Sequence, residues 1–268
     1  MTQPPPIALT IAGSDSGGGA GIQADLKTFH QYGVFGTSVI TALTAQNTVE
    51  VRRANPVDAS MVRAQLDAVA DDLPPRALKS GMLATAEIVA VVADAIAVRR
   101  WERYILDPVM VASSGHRLLS PAGEAAIRDR LLPLAAIVTP NLDEAEALTG
   151  LTVRTPAAME AAGRKLVALG ARAALIKGGH LAGEELVDVL VTTAGTTTFT
   201  HRRLATTSTH GTGCTLSAAI TAGLALGHDL ESAVADGLDF VSRAIASAPG
   251  LGSGHGPVNH FVKVNGQR

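Results

Sequence analysis

The chain has 268 residues, enough for one large α/β domain or two small ones, and its 47% hydrophobic content against 17% charged supplies ample material for a buried core. Only 3% of residues are aromatic, so that core must be built from Ala, Val, Leu and Ile, the packing material of layered α/β folds. A net charge of −2 argues against a general nucleic-acid binder, which needs a positive field to gather phosphates.

Short apolar runs alternate along the chain with stretches of helical period. Ile7 to Ala12 reads as a buried strand, followed by a glycine-rich turn and a helix from about Ala20 to Tyr32. Thr37 to Leu43 is a second strand. Asp58 to Asp71 carries Met61, Val62, Leu66 and Val69 at helical spacing. Ala77 and Leu78 start a short strand before Gly81, Ala86 to Val98 is helical, and Tyr104 to Leu106 is a strand ended by Asp107-Pro108. Pro121 to Leu132 opens on Ser120-Pro121, a cap followed by proline at the first helical position. Ala135 to Val138 is a strand, with helices near Asp143 to Leu148 and Pro156 to Leu169. Ala173 to Ile176 runs into Lys177-Gly178-Gly179. Leu186 to Val191 and Thr196 to His201 flank Ala194-Gly195 as a hairpin, placed either in a small lid or at a sheet edge. Two helices, about Thr212 to Leu226 and Leu230 to Ala248, close the chain.

Strands separated by crossover helices predict a mainly parallel central sheet with helices on both faces, and functional groups gathered at the carboxyl ends of the strands. No internal repeat, linker or composition shift divides the chain, so residues 1–268 are expected to form a single domain. Cys214 is the only cysteine, which rules out an internal disulfide and favours a reducing compartment. The N-terminus lacks the basic and long apolar stretches of a signal peptide, and no run reaches the roughly 20 apolar residues of a spanning helix. A soluble, cytoplasmic protein is expected, with no membrane and no nucleic acid among its partners.

Five motifs sit at predicted strand ends. Gly13-Ser14-Asp15-Ser16-Gly17-Gly18-Gly19-Ala20-Gly21 lets backbone approach a ligand ahead of a helix N-terminus. It is neither a Walker loop nor a dinucleotide fingerprint, since no GK[ST] follows and no acidic residue closes a second strand. Asp25 follows in the first helix, where an aspartate is ordinarily just solvated. Leu106-Asp107-Pro108-Val109 ends an apolar strand in a carboxylate. In Thr139-Pro140-Asn141-Leu142-Asp143-Glu144, Asn141 and Glu144 share one face of an opening helical turn. That spacing suits a capping box and equally a hydrated Mg²⁺, and the two are compatible. In Ile176-Lys177-Gly178-Gly179-His180 the lysine is placed to hold a phosphate, or merely to be solvated. His210-Gly211-Thr212-Gly213-Cys214-Thr215 opens a long Ala/Leu helix with successive amides that can form an anion pocket. A helix end there lowers a thiol's pKa, giving Cys214 thiolate character, unless the cysteine is simply a small buried hydrophobe.

Seven segments, AGSDSGGGAGIQADLKTF, TALTAQNT, KSGML, LDPVMVASSG, VTPNLDEAEALTG, LIKGGH and HGTGCTLSAAI, stand in the order found in the hydroxymethylpyrimidine/phosphomethylpyrimidine kinases of thiamin biosynthesis, and by them the chain resembles that family of the ribokinase superfamily. The resemblance runs from Thr10 to the C-terminal helix. It implies a ribokinase-like three-layer sandwich, ATP and Mg²⁺ as cofactors, a homodimer, and phosphorylation of 4-amino-5-hydroxymethyl-2-methylpyrimidine and of its monophosphate.

By the same resemblance Gly13, Asp25, Gln46, Met82 and Val109 surround the pyrimidine, with Asp25 and Gln46 on its hydroxymethyl group and its ring nitrogen and amine. Asp107, Asn141, Glu144 and Lys177 serve the nucleotide phosphates, and Asp107 and Glu144 serve Mg²⁺ through water. Gly211, Thr212 and Gly213 form the anion hole, Lys177 acts beside it, and Cys214 stands where the hydroxyl proton is accepted. Where the family often has Asp after Val109, this chain has His116. A pyridoxal/pyridoxine kinase of the same superfamily is the alternative, since its substrate is also a flat ring bearing a hydroxymethyl group. A non-catalytic pyrimidine-binding module is disfavoured because the nucleotide groups are all present, and a nicotinamide-dependent oxidoreductase because its fingerprint is missing.

Overall fold

The computed structural model describes residues 4–111, 118–179 and 185–264. β1 (Ile7–Ala12) is buried almost throughout and leads through the glycine-rich turn into α1 (Gly21–Gln31). β2 (Phe35–Ile40) lies parallel to β1, with Thr37 opposite Leu9. The single strand expected over Thr37 to Leu43 breaks at Thr41. The N–H of Thr41 still reaches the Ala12 carbonyl at 3.0 Å, and its hydroxyl donates to the Met82 carbonyl at 2.6 Å. Beyond it β3 (Ala42–Gln46) leaves the main sheet and pairs antiparallel with β4 (Val51–Pro56). β4 escapes sequence reading because Val51-Arg52-Arg53-Ala54-Asn55-Pro56 carries too few apolar residues to signal a strand.

α2 (Ala59–Asp72) is capped by Asp58, whose carboxylate accepts the Ser60 N–H. β5 (Ala77–Ser80), α3 (Ala86–Arg99) and β6 (Tyr104–Leu106) follow, and then α4 (Pro121–Ala126), capped by Ser120 with Pro121 in its first turn. The helix expected to run to Leu132 instead widens to a π-turn over Ile127–Leu131 and tightens to a 3₁₀ turn over Leu132–Leu134. Pro133 has no N–H with which to continue an α-ladder. β7 (Ile137–Val138), α5 (Leu142–Thr149), α6 (Pro156–Ala168), β8 (Ala173–Ile176), β9 (Glu185–Thr192), β10 (Thr196–Arg202), α7 (Thr212–Leu226) and α8 (Leu230–Ala246) complete the order.

The main sheet has eight strands in the order β10-β9-β8-β7-β6-β5-β1-β2. All neighbours are parallel except β9, which runs antiparallel to β8 and β10. The β9–β10 hairpin is therefore the sheet edge. Alternate residues of the central strands feed two cores. Leu9, Ile11, Leu78, Leu106, Ala174 and Ile176 pack with α2, α3, α5 and α6, while Ala8, Ala77, Ile105, Ala173 and Leu175 pack with α1, α7 and α8. This period-two division of apolar residues makes three layers, helix–sheet–helix, as expected. From β1 the chain first adds β2 on one side and later β5 to β8 on the other, so the order reverses between β1 and β5. In open α/β sheets the crevice at such a reversal, outside the strands' carboxyl ends, is where ligands bind. Among the described residues no helix is long and apolar enough to cross a membrane.

Candidate active site

A cleft of about 1040 Å³ opens at that reversal and is lined from both sides of it, by residues 12–15 after β1 and by Gly81 and Met82 after β5. Its size is at the upper end for a small-molecule site. The β1–α1 loop is wound around Asp15, whose Oδ1 accepts the Gly17 N–H at 2.8 Å and whose Oδ2 accepts those of Gly19 and Ala20 at 2.9 and 2.8 Å. The loop is stitched to β3: the Ser14 N–H donates to the Ala42 carbonyl, the Thr44 hydroxyl to the Ser14 carbonyl, and the Ser16 hydroxyl to the Gln46 carbonyl at 2.6 Å. These bonds hold Gln46 at the cleft wall. Gly13, Gln46, Met82 and Val109 all line the cleft, and a side chain on Gly13 would meet the Met82 sulfur.

Asp25 is placed differently. It is fully buried behind the wall, with Oδ2 accepting from the Thr10 hydroxyl at 2.6 Å and Oδ1 from Nζ of Lys79 at 2.8 Å. It is not solvated, and it does not belong to the lining. The buried Lys79 escaped the sequence reading, although a lysine inside the apolar β5 was its visible trace. Burial alone would push Asp25 up and Lys79 down. Asp25 stays raised in spite of Lys79 and the Thr10 hydroxyl, whereas the carboxylates of Asp25 and Asp107 raise Lys79 and keep it charged.

At the other end of the cleft, Asp107 and Lys177 meet above the first turn of α7. Nζ of Lys177 lies 3.3 Å from Asp107 Oδ1, and the Ser217 hydroxyl donates to Oδ2 at 3.2 Å. A Cβ on Gly213 would lie 3.3 Å from that Nζ and 4.0 Å from Asp107 Oδ2. Burial opposes the charge on Lys177, but Asp107 and Glu144 outweigh it and raise its pKa. Asn141 and Lys177 are brought side by side by a parallel bridge that extends the β7–β8 pair, closed by the Lys177 N–H on the Pro140 carbonyl.

The Asn141–Glu144 capping box is complete. Asn141 Oδ1 accepts the Glu144 N–H at 2.9 Å, and Glu144 Oε2 accepts the Asn141 N–H at 2.8 Å. Burial pushes Glu144 up to about 7, against the pull of Lys177 and with the push of Asp107. Two buried carboxylates of different environment, beside one lysine, suit a hydrated Mg²⁺, which takes few direct protein ligands. No group of three or more His, Cys, Asp or Glu that would enclose a metal occurs among the described residues.

α7 begins at Gly211, with φ of 79° and no side chain to cap the amides that follow. A Cβ there would strike the Gly19 carbonyl, so glycine is required for the two loops to interlock. The Thr212 N–H is taken by the Thr209 carbonyl at 3.2 Å, which removes Thr212 from the expected anion pocket, and the opening turn leaves the amides of Gly213 and Cys214 at the cleft, beneath Lys177. The thiolate character expected for Cys214 is reversed by its surroundings. Burial pushes the thiol up to about 12, the Lys79 charge opposes this, and Asp25 and Asp107 reinforce it.

The sequence reading assigned no role to His210 on its own, nor to the glycine-dense stretch Gly250 to Gly256. There the His255 N–H donates to the Thr48 carbonyl at 2.8 Å, and the Gly256 carbonyl accepts the His210 N–H at 3.1 Å. Four glycines in seven residues were the available signal. His116 and His180 lie outside the described residues.

The family model described as phosphomethylpyrimidine kinase matches residues 15–259. The chain is 49% identical over 258 residues to the hydroxymethylpyrimidine/phosphomethylpyrimidine kinase of Haemophilus influenzae, covering 95% of this chain and 96% of that one. Among solved structures, an ADP complex of Bacillus subtilis pyridoxal kinase is similar with a TM-score of 0.90 and 39% identity, over 96% of this chain and 98% of that one. The phosphomethylpyrimidine kinase of Clostridium difficile matches with a TM-score of 0.81 and 42% identity, over 90% and 99% of the two chains. With the family model spanning most of its length, and the glycine turn before α7, two buried carboxylates and Lys177 set around one cleft, the chain belongs to the phosphomethylpyrimidine kinase family.

Proposed function

We propose that this kinase transfers the terminal phosphoryl group of ATP to the hydroxymethyl group of 4-amino-5-hydroxymethyl-2-methylpyrimidine, and in a second round to the resulting monophosphate, in thiamin biosynthesis. The observation that carries the reaction is the stacking of Lys177 and Asp107 over Gly213. This sets a cation and backbone amides side by side at one end of the cleft, where a transferring phosphoryl group would meet both. Such transfer asks the protein mainly for positioning and charge neutralisation. Lys177 and the amides of Gly213 and Cys214 take up the charge developing on the phosphoryl oxygens. Gln46, Met82, Gly13 and Val109 orient the acceptor ring at the other end of the cleft.

Asp107 and Glu144 would hold Mg²⁺ through its waters, with Asn141 fixing the Glu144 carboxyl. When bound, the ion offsets the charge of the nucleotide's phosphates. Cys214 is assigned to accept the hydroxyl proton, a role that requires its thiolate and for which Lys79 supplies the favouring charge. One catalytic unit over residues 1–268, working in the cytoplasm as a homodimer, completes the proposal on the strength of the family resemblance.

The pyridoxal kinase alternative has one specific point in its favour, the TM-score of 0.90 to the Bacillus subtilis pyridoxal kinase. Gln46, with a donor and an acceptor in one plane, favours the aminopyrimidine. Incubation with ATP, Mg²⁺ and each alcohol, with products resolved by mass, should show a higher specificity constant for the aminopyrimidine alcohol and stepwise mono- and diphosphate. A clear preference for pyridoxine reverses the ranking.

A further inference from the structure

Asp15 is 2% exposed, and its two oxygens already accept three backbone N–H groups, which hold it as a carboxylate. Oδ2 also lies 2.9 Å from Nε2 of His210. A carboxylate can only accept, so that ring nitrogen must carry the proton. The amide of Gln46 is placed with its nitrogen 3.1 Å from the same Nε2. A protonated ring nitrogen cannot accept from an amide NH₂. A half-turn of the amide exchanges its two atoms, so the carbonyl oxygen belongs there, and the single Nε2 proton is shared between it and Asp15 Oδ2 in a three-centre hydrogen bond. The NH₂ of Gln46 is then turned from His210 toward the cleft that Gln46 lines.

The surroundings are shaped to keep the imidazole there. A Cβ on Gly19 would lie 2.6 Å from His210 Cδ2, so only glycine leaves room for the ring. The His210 backbone is tied to Gly256, and the ring itself is only 11% exposed.

We propose that His210 is a specificity-determining positioning residue, which is oriented by Asp15 and shares its one Nε2 proton between that carboxylate and Gln46, a relay that locks the amide with its carbonyl on the imidazole and its NH₂ toward the substrate. Held this way, Gln46 offers a donor beside a carbonyl that still has one lone pair free. That pair of groups matches a ring edge showing a nitrogen acceptor next to an exocyclic N–H donor. A ring with a hydroxyl and no adjacent ring nitrogen at that edge fits less well. The inference rests on the aminopyrimidine kinase reading above and adds to it the residue that sets the amide's direction.

The test compares His210→Gln, whose Nε2 stands in for the imidazole Nε2, with His210→Asn and His210→Ala, which do not reach it. Specificity constants are measured with ATP and Mg²⁺ for the aminopyrimidine alcohol and for pyridoxine. His210→Asn and His210→Ala should lower the preference for the aminopyrimidine by about tenfold or more, with KM for ATP unchanged, and His210→Gln should restore it to within about threefold. Equal preference in all three variants, or His210→Asn performing as well as His210→Gln, overturns the proposal. Two-bond ¹⁵N–¹H correlation of the labelled wild-type protein reads the tautomer directly: a proton on Nε2 is expected, and a bare Nε2 overturns the relay whatever the kinetics. A wild-type enzyme inactive on both alcohols would sink the kinase reading itself, and the tautomer measurement would still decide the relay.

Discussion

Cys214 stands between opposing fields. Enclosure and the carboxylates Asp25 and Asp107 hold its proton on, while Lys79 draws it off, and the balance leaves the thiol pushed up to about 12. Alkylation of Cys214 by iodoacetamide should accordingly stay slow at neutral pH and accelerate only well above pH 9, since the thiolate is the nucleophile. The proposed base role makes a second demand. Cys214→Ala should cut kcat by about 10²-fold, the usual worth of general base help, with KM for ATP little changed. Near-normal turnover would remove the base assignment and leave the anion turn intact. At this scale the sequence was informative wherever a residue's role depends on its immediate neighbours. The spacing of Asn141 and Glu144 announced the capping box, and the box is there. It was uninformative where partners come from distant segments. Asp25 meets Lys79 across 54 positions and His210 meets Asp15 across 195, distances over which no local pattern speaks.

Among the elements, the start of α7 carries the tightest constraint. Gly211 combines a positive φ with a backbone approach to Gly19, so Gly211→Ala is strained in conformation and in space together. A non-glycine residue in that region costs about 1 kcal/mol or more, and relief requires moving the loop that holds Asp15 away from the anion turn. The expected outcome is a lowered melting temperature together with at least a tenfold loss of kcat; full activity would show that the two loops need not interlock. The long apolar-periodic elements were legible because burial imposes their period: β1, β5, β6, β8, α7 and α8 fall within a few residues of expectation. β3 and β4 were not, because a hairpin outside the main sheet, with half-exposed faces, needs no apolar alternation. The hairpin is nonetheless what carries Gln46 to the cleft, so the least legible element positions a residue of the cleft wall.

On the scale of the whole molecule, parallel layers and a strand-order reversal were implied by the alternation of strands and helices, and the cleft opens where that reversal falls. What closes the molecule was not implied. The segment after α8 returns over the helical layer, with the Asn259 N–H on the Ala244 carbonyl and the Arg243 guanidinium on the Lys263 carbonyl. It inserts His260 against α7, where Nε2 lies 3.1 Å from the Thr215 hydroxyl, one residue past Cys214. His260 is 8% exposed, and burial, reinforced by the charge of Lys27, lowers its pKa from 6.5 to about 4. The unfolded chain therefore takes up a proton near pH 6.5 that the folded chain refuses until about pH 4. Between those values the unfolded state binds more protons, so stability falls as pH falls, by up to about 3 kcal/mol from this residue. Carboxylates titrate in the lower part of the same window, so the contribution must be isolated by difference. Thermal or urea unfolding of the wild type and of His260→Gln, which keeps a partner for Thr215 without titrating, should converge in stability as pH drops from 7 to 4.5, the wild type losing more. Parallel curves across that range would mean that His260 takes its proton without disturbing the segment, and that the contact with Thr215 does not fasten the chain's end to α7.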